Sequence, residues 1–314
     1  MVFSVEVRTV SHILKTKPTI EGAGVKLNRA FGGPKLAYLF DPFLLLDDFG
    51  SRYPHEYLQG FPWHPHRGIT TVTYLVKGEV HHEDSTGTKG VLKTGDIQWM
   101  TAGSGIFHSE MPKPEKKRVN DEEVIDPEVR GFQLWVNLPA KDKMTDPNYK
   151  NLVGSNVPQA ELDDGSSVKI VAGEIKRIPR LGSLKGPIND LLVDVNYLDF
   201  ELVENTQLEY TVKDGYTVFA YVVDGEAFFD PRSQEPVGAK SVVLYDYDGD
   251  TVRVRTQNSK ARFLLVSGRP LNEPIAWYGP IVMNTNDQLI QALQELQTGE
   301  FVKTKATSYD YIKY

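Results

Sequence analysis

The chain has 314 residues, 40% of them hydrophobic and 25% charged, with a formal net charge of -7 and no cysteine. That length can bury one large core or two medium ones, and the acidic balance lacks the basic footprint of a nucleic-acid binder. Without thiols there is no disulfide, thiolate metal site or cysteine nucleophile, so any metal must rest on imidazole, carboxylate and water.

The opening run MVFSVEVRTV alternates and carries Glu6 and Arg8, whereas a secretory leader needs a basic start and a continuous apolar stretch. No apolar run approaches the ~20 residues that cross a bilayer. A cytoplasmic protein with no membrane association is expected, or a nuclear one in a eukaryote. Strand-like runs then follow at 69–76 (ITTVTYLV), 91–100 (VLKTGDIQWM) and 131–138 (GFQLWVNL). Between the last two, residues 112–127 are polar and rich in turn formers and read as an exposed excursion. Residues 139–165 are irregular, which places a join between two halves within 140–185.

Further strands are expected at 191–202 (LLVDVNYLDFEL), 216–223 (YTVFAYVV) and 262–268 (RFLLVSG). Short β-rich runs punctuated by Gly, Pro and Asp predict a sandwich or barrel. One helix is expected over 286–297, where Leu289, Ile290, Leu293 and Leu296 recur at helical spacing. Asn286 or Asp287 would cap its start and Gly299 its end. The match of YLVKGEV at 74–80 with YVVDGEA at 221–227 predicts two similar halves. The expected organisation is a first barrel over 1–150, a joining region over 151–185, a second barrel over 186–285, and a helix with its tail over 286–314.

All seven histidines, His12, His55, His64, His66, His81, His82 and His108, lie in the first 108 residues. His64 and His66 are two apart, so in a strand they face the same side. His108 and Glu110 repeat that spacing with one carboxylate. Two such pairs on neighbouring strands would supply three imidazoles and a carboxylate around one point, a shell for one divalent redox metal with open positions. Gly60, Gly95, Gly103 and Gly105 supply the turns that would bring the pairs together. His81 and His82 flank a polar turn and read as solvated or as lying behind the ligands, and His12 and His55 as surface or structural residues. Counted from Tyr221 as His64 and His66 are from Tyr74, the matching positions of the second half are Thr211 and Lys213, neither an imidazole nor a carboxylate, so no metal is expected there.

The runs FPWHPHRG at 61–68 and GDIQWMTAGSGIFHSEMP at 95–112 resemble the two signatures of the pirin family. FDPF at 40–43, QLWVNLP at 133–139 and GPIVMNT at 279–285 extend the likeness over nearly the whole chain. The resemblance implies an all-β bicupin, two tandem double-stranded β-helix barrels with a short C-terminal helix. It implies one divalent metal per chain in the N-terminal barrel, held by His64, His66, His108 and Glu110, with Fe(2+) as the usual ion and other transition metals as alternatives. One departure is Thr70, near which many pirins carry Glu; a contact behind the ligands changes, and no ligand is lost.

The function so implied is quercetin 2,3-dioxygenase-type cleavage of a flavonol or related enol by dioxygen. The substrate 3-hydroxyl would sit on the metal and Glu110 would serve as the base. The alternatives are an iron-dependent regulatory protein that binds a protein partner without turnover, and an isomerase on the same scaffold. Phe61, Trp63, Trp99 and Trp135 are candidate pocket walls, each equally suited to filling a barrel. Arg67 is expected to orient Asp84 or Asp96, or to form a surface ion pair. A monomer is expected.

Overall fold

The computed structural model describes residues 6–85, 87–120, 122–178, 182–188, 191–303 and 307–309. Among them strand dominates, and the chain divides into two compact units. Neither unit is continuous in sequence. One comprises Lys17–Asn156 with Leu271–Tyr314, and the other Met1–Thr16 with Val157–Pro270.

The histidine-bearing unit is built from two sheets. The larger runs in the order Lys17–Glu21, Val25–Gly32, Phe43–Ser51, Val129–Asn137, Ile69–Lys77, Ile97–Thr101, Asn148–Leu152 and Thr307–Tyr309. The smaller runs Phe61–His66, Ile106–Lys113, Glu79–Asp84 and Lys89–Lys93. Period-two burial shows which side faces inward: Ile106, His108, Glu110 and Pro112 are buried while Phe107, Ser109 and Met111 are half-buried. Ile106 belongs to an apolar cluster with Leu44, Ile69, Met100 and Val282. Val80, the cross-strand partner of Pro112, belongs to another with Leu27, Phe49, Leu75 and Val129. His108 and Glu110 lie along the strand between the two.

The other unit centres on a seven-strand path, Val10–Lys15, Ser241–Tyr245, Thr217–Ala227, Ala261–Gly268, Val195–Leu202, Ser167–Ala172 and Gln159–Glu161. Its interior is filled by side chains, with Phe200 stacked on Phe263 at 5.4 Å and Phe229, Tyr210 and Tyr245 around them. Thr211 and Lys213 are exposed, so the positions matching the histidine pair face water.

Several expectations are refined. The run at 91–100 is two strands, Lys89–Lys93 and Ile97–Thr101, because Gly95 turns the chain with φ 90°. The strand expected from 191 begins at Val195. The excursion at 112–127 contains a hairpin, Glu115–Val119 with Glu122–Asp126. The helix spans Asn286–Thr298 and ends at Gly299 in the left-handed conformation. Its cap is Thr285 rather than Asn286 or Asp287, because Thr285 and Gln288 close a reciprocal capping box.

The division by contacts also differs from the expected boundaries at 150, 185 and 285. Val10–Lys15 pairs with Ser241–Tyr245, and residues 271–303 pack with the histidine-bearing unit. Parts of the expected tail, 304–306 and 310–314, lie outside the described residues.

Candidate metal centre

Phe61–His66 and Ile106–Lys113 pair antiparallel, with His64 opposite His108 and His66 opposite Ile106. Side-chain alternation turns all three histidines inward. Their ring centroids stand 4.4 Å (His64–His108), 4.9 Å (His64–His66) and 5.0 Å (His66–His108) apart. One nitrogen from each lies within 4.8 Å of the others. His64 Nδ1 donates to the Pro62 carbonyl at 2.8 Å and His66 Nδ1 to the Pro280 carbonyl at 3.3 Å. Those acceptors fix the tautomer and leave each Nε2 lone pair for the cluster.

His66 Nε2 and both His108 nitrogens are buried with no hydrogen-bond partner among the described residues. Burial holds His66 and His108 neutral by pushing their pKa values well below the usual range, with the charge of His64 as the next cause. Buried polar atoms of this kind normally find partners. Three imidazoles with converging nitrogens, two of them held neutral by burial, therefore fit a divalent metal.

Glu110 is the next inward residue after His108, and its carboxylate lies 3.9 Å from His108 Nε2. It accepts from Gln133 Nε2 at 3.0 and 3.3 Å and from Thr73 Oγ1 at 3.3 Å. Gln133 is in turn oriented by Trp135, whose Nε1–H donates to Gln133 Oε1 at 3.2 Å. Burial raises the Glu110 pKa, and His64, Gln133 and Thr73 oppose that rise. The imidazoles thus form the tight cluster and Glu110 stands beside it.

Across the large sheet, Arg29, Asp47, Gln133, Thr73 and Gln98 are successive cross-strand partners. This polar row explains how Glu110 is held, since partners in register project from the same face. Asp47 is 6% exposed and receives both Nε and Nη2 of Arg29, at 2.9 and 2.8 Å. Where the expected Glu is replaced, Thr70 meets Thr101 hydroxyl to hydroxyl at 3.2 Å.

A cavity of about 520 Å³ opens onto His64, His66 and Glu110. Its walls include Phe61, Trp135, Trp277 and Tyr278, and Arg29, Asp47 and Gln133 supply polar groups. Of the four expected wall residues, Phe61 and Trp135 line it. Trp63 alternates to the opposite side from His64 and is 52% exposed, while Trp99 is 4% exposed and fills the core. Trp277, Tyr278 and Pro280 escaped the sequence reading because no local pattern ties residues near 280 to residues near 64.

The remaining candidates separate by burial. His12 and His55 are exposed. His81 is half-buried and bonds Glu79 at 3.1 Å. His82 is buried opposite Glu110 and lies over the Tyr149 ring at 6.2 Å. Arg67 orients neither Asp84 nor Asp96 and is not at the surface: it is 1% exposed and pairs with Glu295 at 2.7 Å. Asp96 instead accepts from the backbone of Lys93 and Gly154, and Asp84 from that of Thr88. Lys143 is a further buried amine, 1% exposed, within hydrogen-bond distance of the Gly68 carbonyl (2.9 Å), the Val282 carbonyl (2.9 Å) and Asn137 Oδ1 (2.6 Å).

Comparison with known proteins adds to this geometry. Residues 24–136 match the family described as Pirin, and residues 197–302 match the Pirin C-terminal cupin domain. A pirin-like protein of Caulobacter vibrioides is 43% identical over 295 residues, covering 94% of this chain and 99% of that protein. Pirin of Homo sapiens is 36% identical over 283 residues, covering 89% of each. The crystal structure of quercetin 2,3-dioxygenase from Acinetobacter baumannii is 30% identical with a TM-score of 0.80, covering 94% of this chain and 98% of that one.

Proposed function

The chain belongs to the pirin family, with a cupin domain in each half, and from that premise we propose that it is a metal-dependent dioxygenase cleaving a flavonol or related enol in the manner of quercetin 2,3-dioxygenase. In this reading one Fe(2+) is held by His64, His66 and His108, with Glu110 as fourth ligand or as the base beside the metal. The observation that carries it is the convergence of one nitrogen each from His64, His66 and His108, within 4.8 Å of one another, beside a cavity with aromatic walls that His64, His66 and Glu110 line. The likeness to the Acinetobacter baumannii quercetin 2,3-dioxygenase supports the choice of substrate class.

When bound, such a metal supplies a Lewis acid for the substrate hydroxyl and an electron partner for dioxygen. The chain's own residues do the rest. Trp135 and Phe61 flank the ligands with apolar faces suited to a planar polyphenol. Glu110, its pKa raised by burial, takes the proton of the substrate hydroxyl, and Gln133 and Thr73 keep the carboxylate aimed while it does so. Pro280 and Pro62 hold two of the imidazoles in the tautomer a ligand needs.

The test is anaerobic purification with elemental analysis, iron reconstitution, and then quercetin under oxygen. One metal per chain, oxygen uptake and carbon monoxide release are expected. Turnover no greater than that of the metal-free chain refutes the enzyme.

A further inference from the structure

Arg67 follows His66 in the chain and points the other way. Its guanidinium is buried, with Nη2 at 2.7 Å from Glu295 Oε2 and 2.8 Å from the Phe301 carbonyl. The same guanidinium lies over the Phe301 ring, 4.2 Å from its centroid. On the second ligand strand, Phe107 precedes His108 and meets that ring edge to face at 5.6 Å. Gly105 completes the contact, since any side chain there would strike the Phe301 carbonyl and ring. One buried aromatic residue, 1% exposed, thus touches the chain neighbours of two of the three imidazoles.

The rest of the segment reinforces this. Val282 N donates to the Arg67 carbonyl at 3.1 Å, and the Pro280 carbonyl takes His66 Nδ1–H. Glu295 projects from the helix Asn286–Thr298 and is held on its other side by Lys303 at 3.0 Å and Gln291 at 3.0 Å. A buried Arg–Glu pair is a weak source of net stability, because desolvating both charges offsets much of their attraction. Removing one partner is costly, however, so the pair strongly favours one arrangement of the chain.

We propose that Arg67, Phe301 and Glu295 are positioning residues for the metal centre. Residues 286–303 wedge against the side of both ligand strands away from the imidazoles, fix His66 relative to His108, and so set how long a metal stays bound. None of the three side chains touches the metal. The proposal rests on the metal-centre reading above and concerns metal retention rather than turnover.

The test uses the full-length chain loaded with cobalt(II) and then mixed with excess EDTA, following the loss of the cobalt d–d absorption. Glu295→Gln keeps the shape and removes the charge; Phe301→Leu removes the ring. Both are expected to release cobalt faster by about 10- to 100-fold, the range typical for residues that orient ligands, and to alter the d–d band shape. Glu295→Asp, which keeps the charge, should restore much of the retention. If Phe301→Leu does not fold, Glu295→Gln decides alone. Wild-type release and an unchanged band in Glu295→Gln overturn the proposal, even if the metal-free variant melts earlier. Failure of the wild-type chain to take up cobalt overturns instead the metal-centre reading on which it stands.

Discussion

Lys143 offers a prediction that can be worked through in numbers. Its amine is buried within hydrogen-bond distance of three oxygens, two of them the carbonyls of Gly68 and Val282. Desolvation lowers its pKa from 10.5 to about 7, with Glu273 opposing the change. The folded pKa thus lies below the unfolded one, so between these values the unfolded chain holds a proton that the folded chain has released. Stability must then rise with pH through this window, by up to about 1.4 kcal/mol per pH unit. The penalty is full below pH 7 and gone above 10.5.

Lys143→Met removes the titrating group and leaves the acceptors it served unpaired, a loss of about 1–3 kcal/mol each that belongs to the variant at every pH. Urea unfolding of both proteins at pH 7.5, 8.5 and 9.5, with chelator present to exclude metal, isolates the pH-dependent part. The stability of the wild type relative to the variant should grow by about 2–3 kcal/mol over that range. A flat difference would mean that the three oxygens keep the amine charged, and the reasoning from desolvation would be wrong.

The ligand set gives further tests. His108→Ala should lose bound metal by elemental analysis while far-ultraviolet circular dichroism stays that of a β protein; full metal content would remove His108 from the centre. Gln133→Leu deletes the amide that holds Glu110 and should lower the turnover number of iron-loaded protein by about 10- to 100-fold, with metal content measured in parallel; an unchanged rate would show that Glu110 needs no such support. Thr285→Ala removes the helix cap and should lower stability by about 1 kcal/mol in a denaturant titration, an effect absent if the capping box is idle.

Much of the centre is legible in the sequence because it depends on period two. Once 61–66 and 106–113 are read as strands, His64 with His66 and His108 with Glu110 must share faces, and the structure brings the three imidazoles together. What the sequence hides is set by distant packing. Nothing near Arg67 announces Glu295, which is the residue its guanidinium meets. Trp277 and Tyr278 reach the cavity only through the fold, and Asp47 is recognisable as part of a polar row only after strand register is known. Trp63 and Trp99 were plausible walls by residue type, but alternation and core packing assign them elsewhere. The helix itself was readable from its apolar spacing; its cap was shifted because Thr285 and Gln288 can satisfy each other and the pair starting one residue later cannot.

The crossing of sequence segments between the two units has a consequence for biosynthesis. A ribosome that has extruded the first 150 residues has delivered every histidine, yet the Pro280 carbonyl, Glu295 and Phe301 are still to be made. The imidazoles therefore wait for the whole of the second barrel to be translated before their supports arrive. On the proposed reading, metal loading would be a late event in the life of the polypeptide, and a prematurely terminated chain would carry the histidines without the residues proposed to position them.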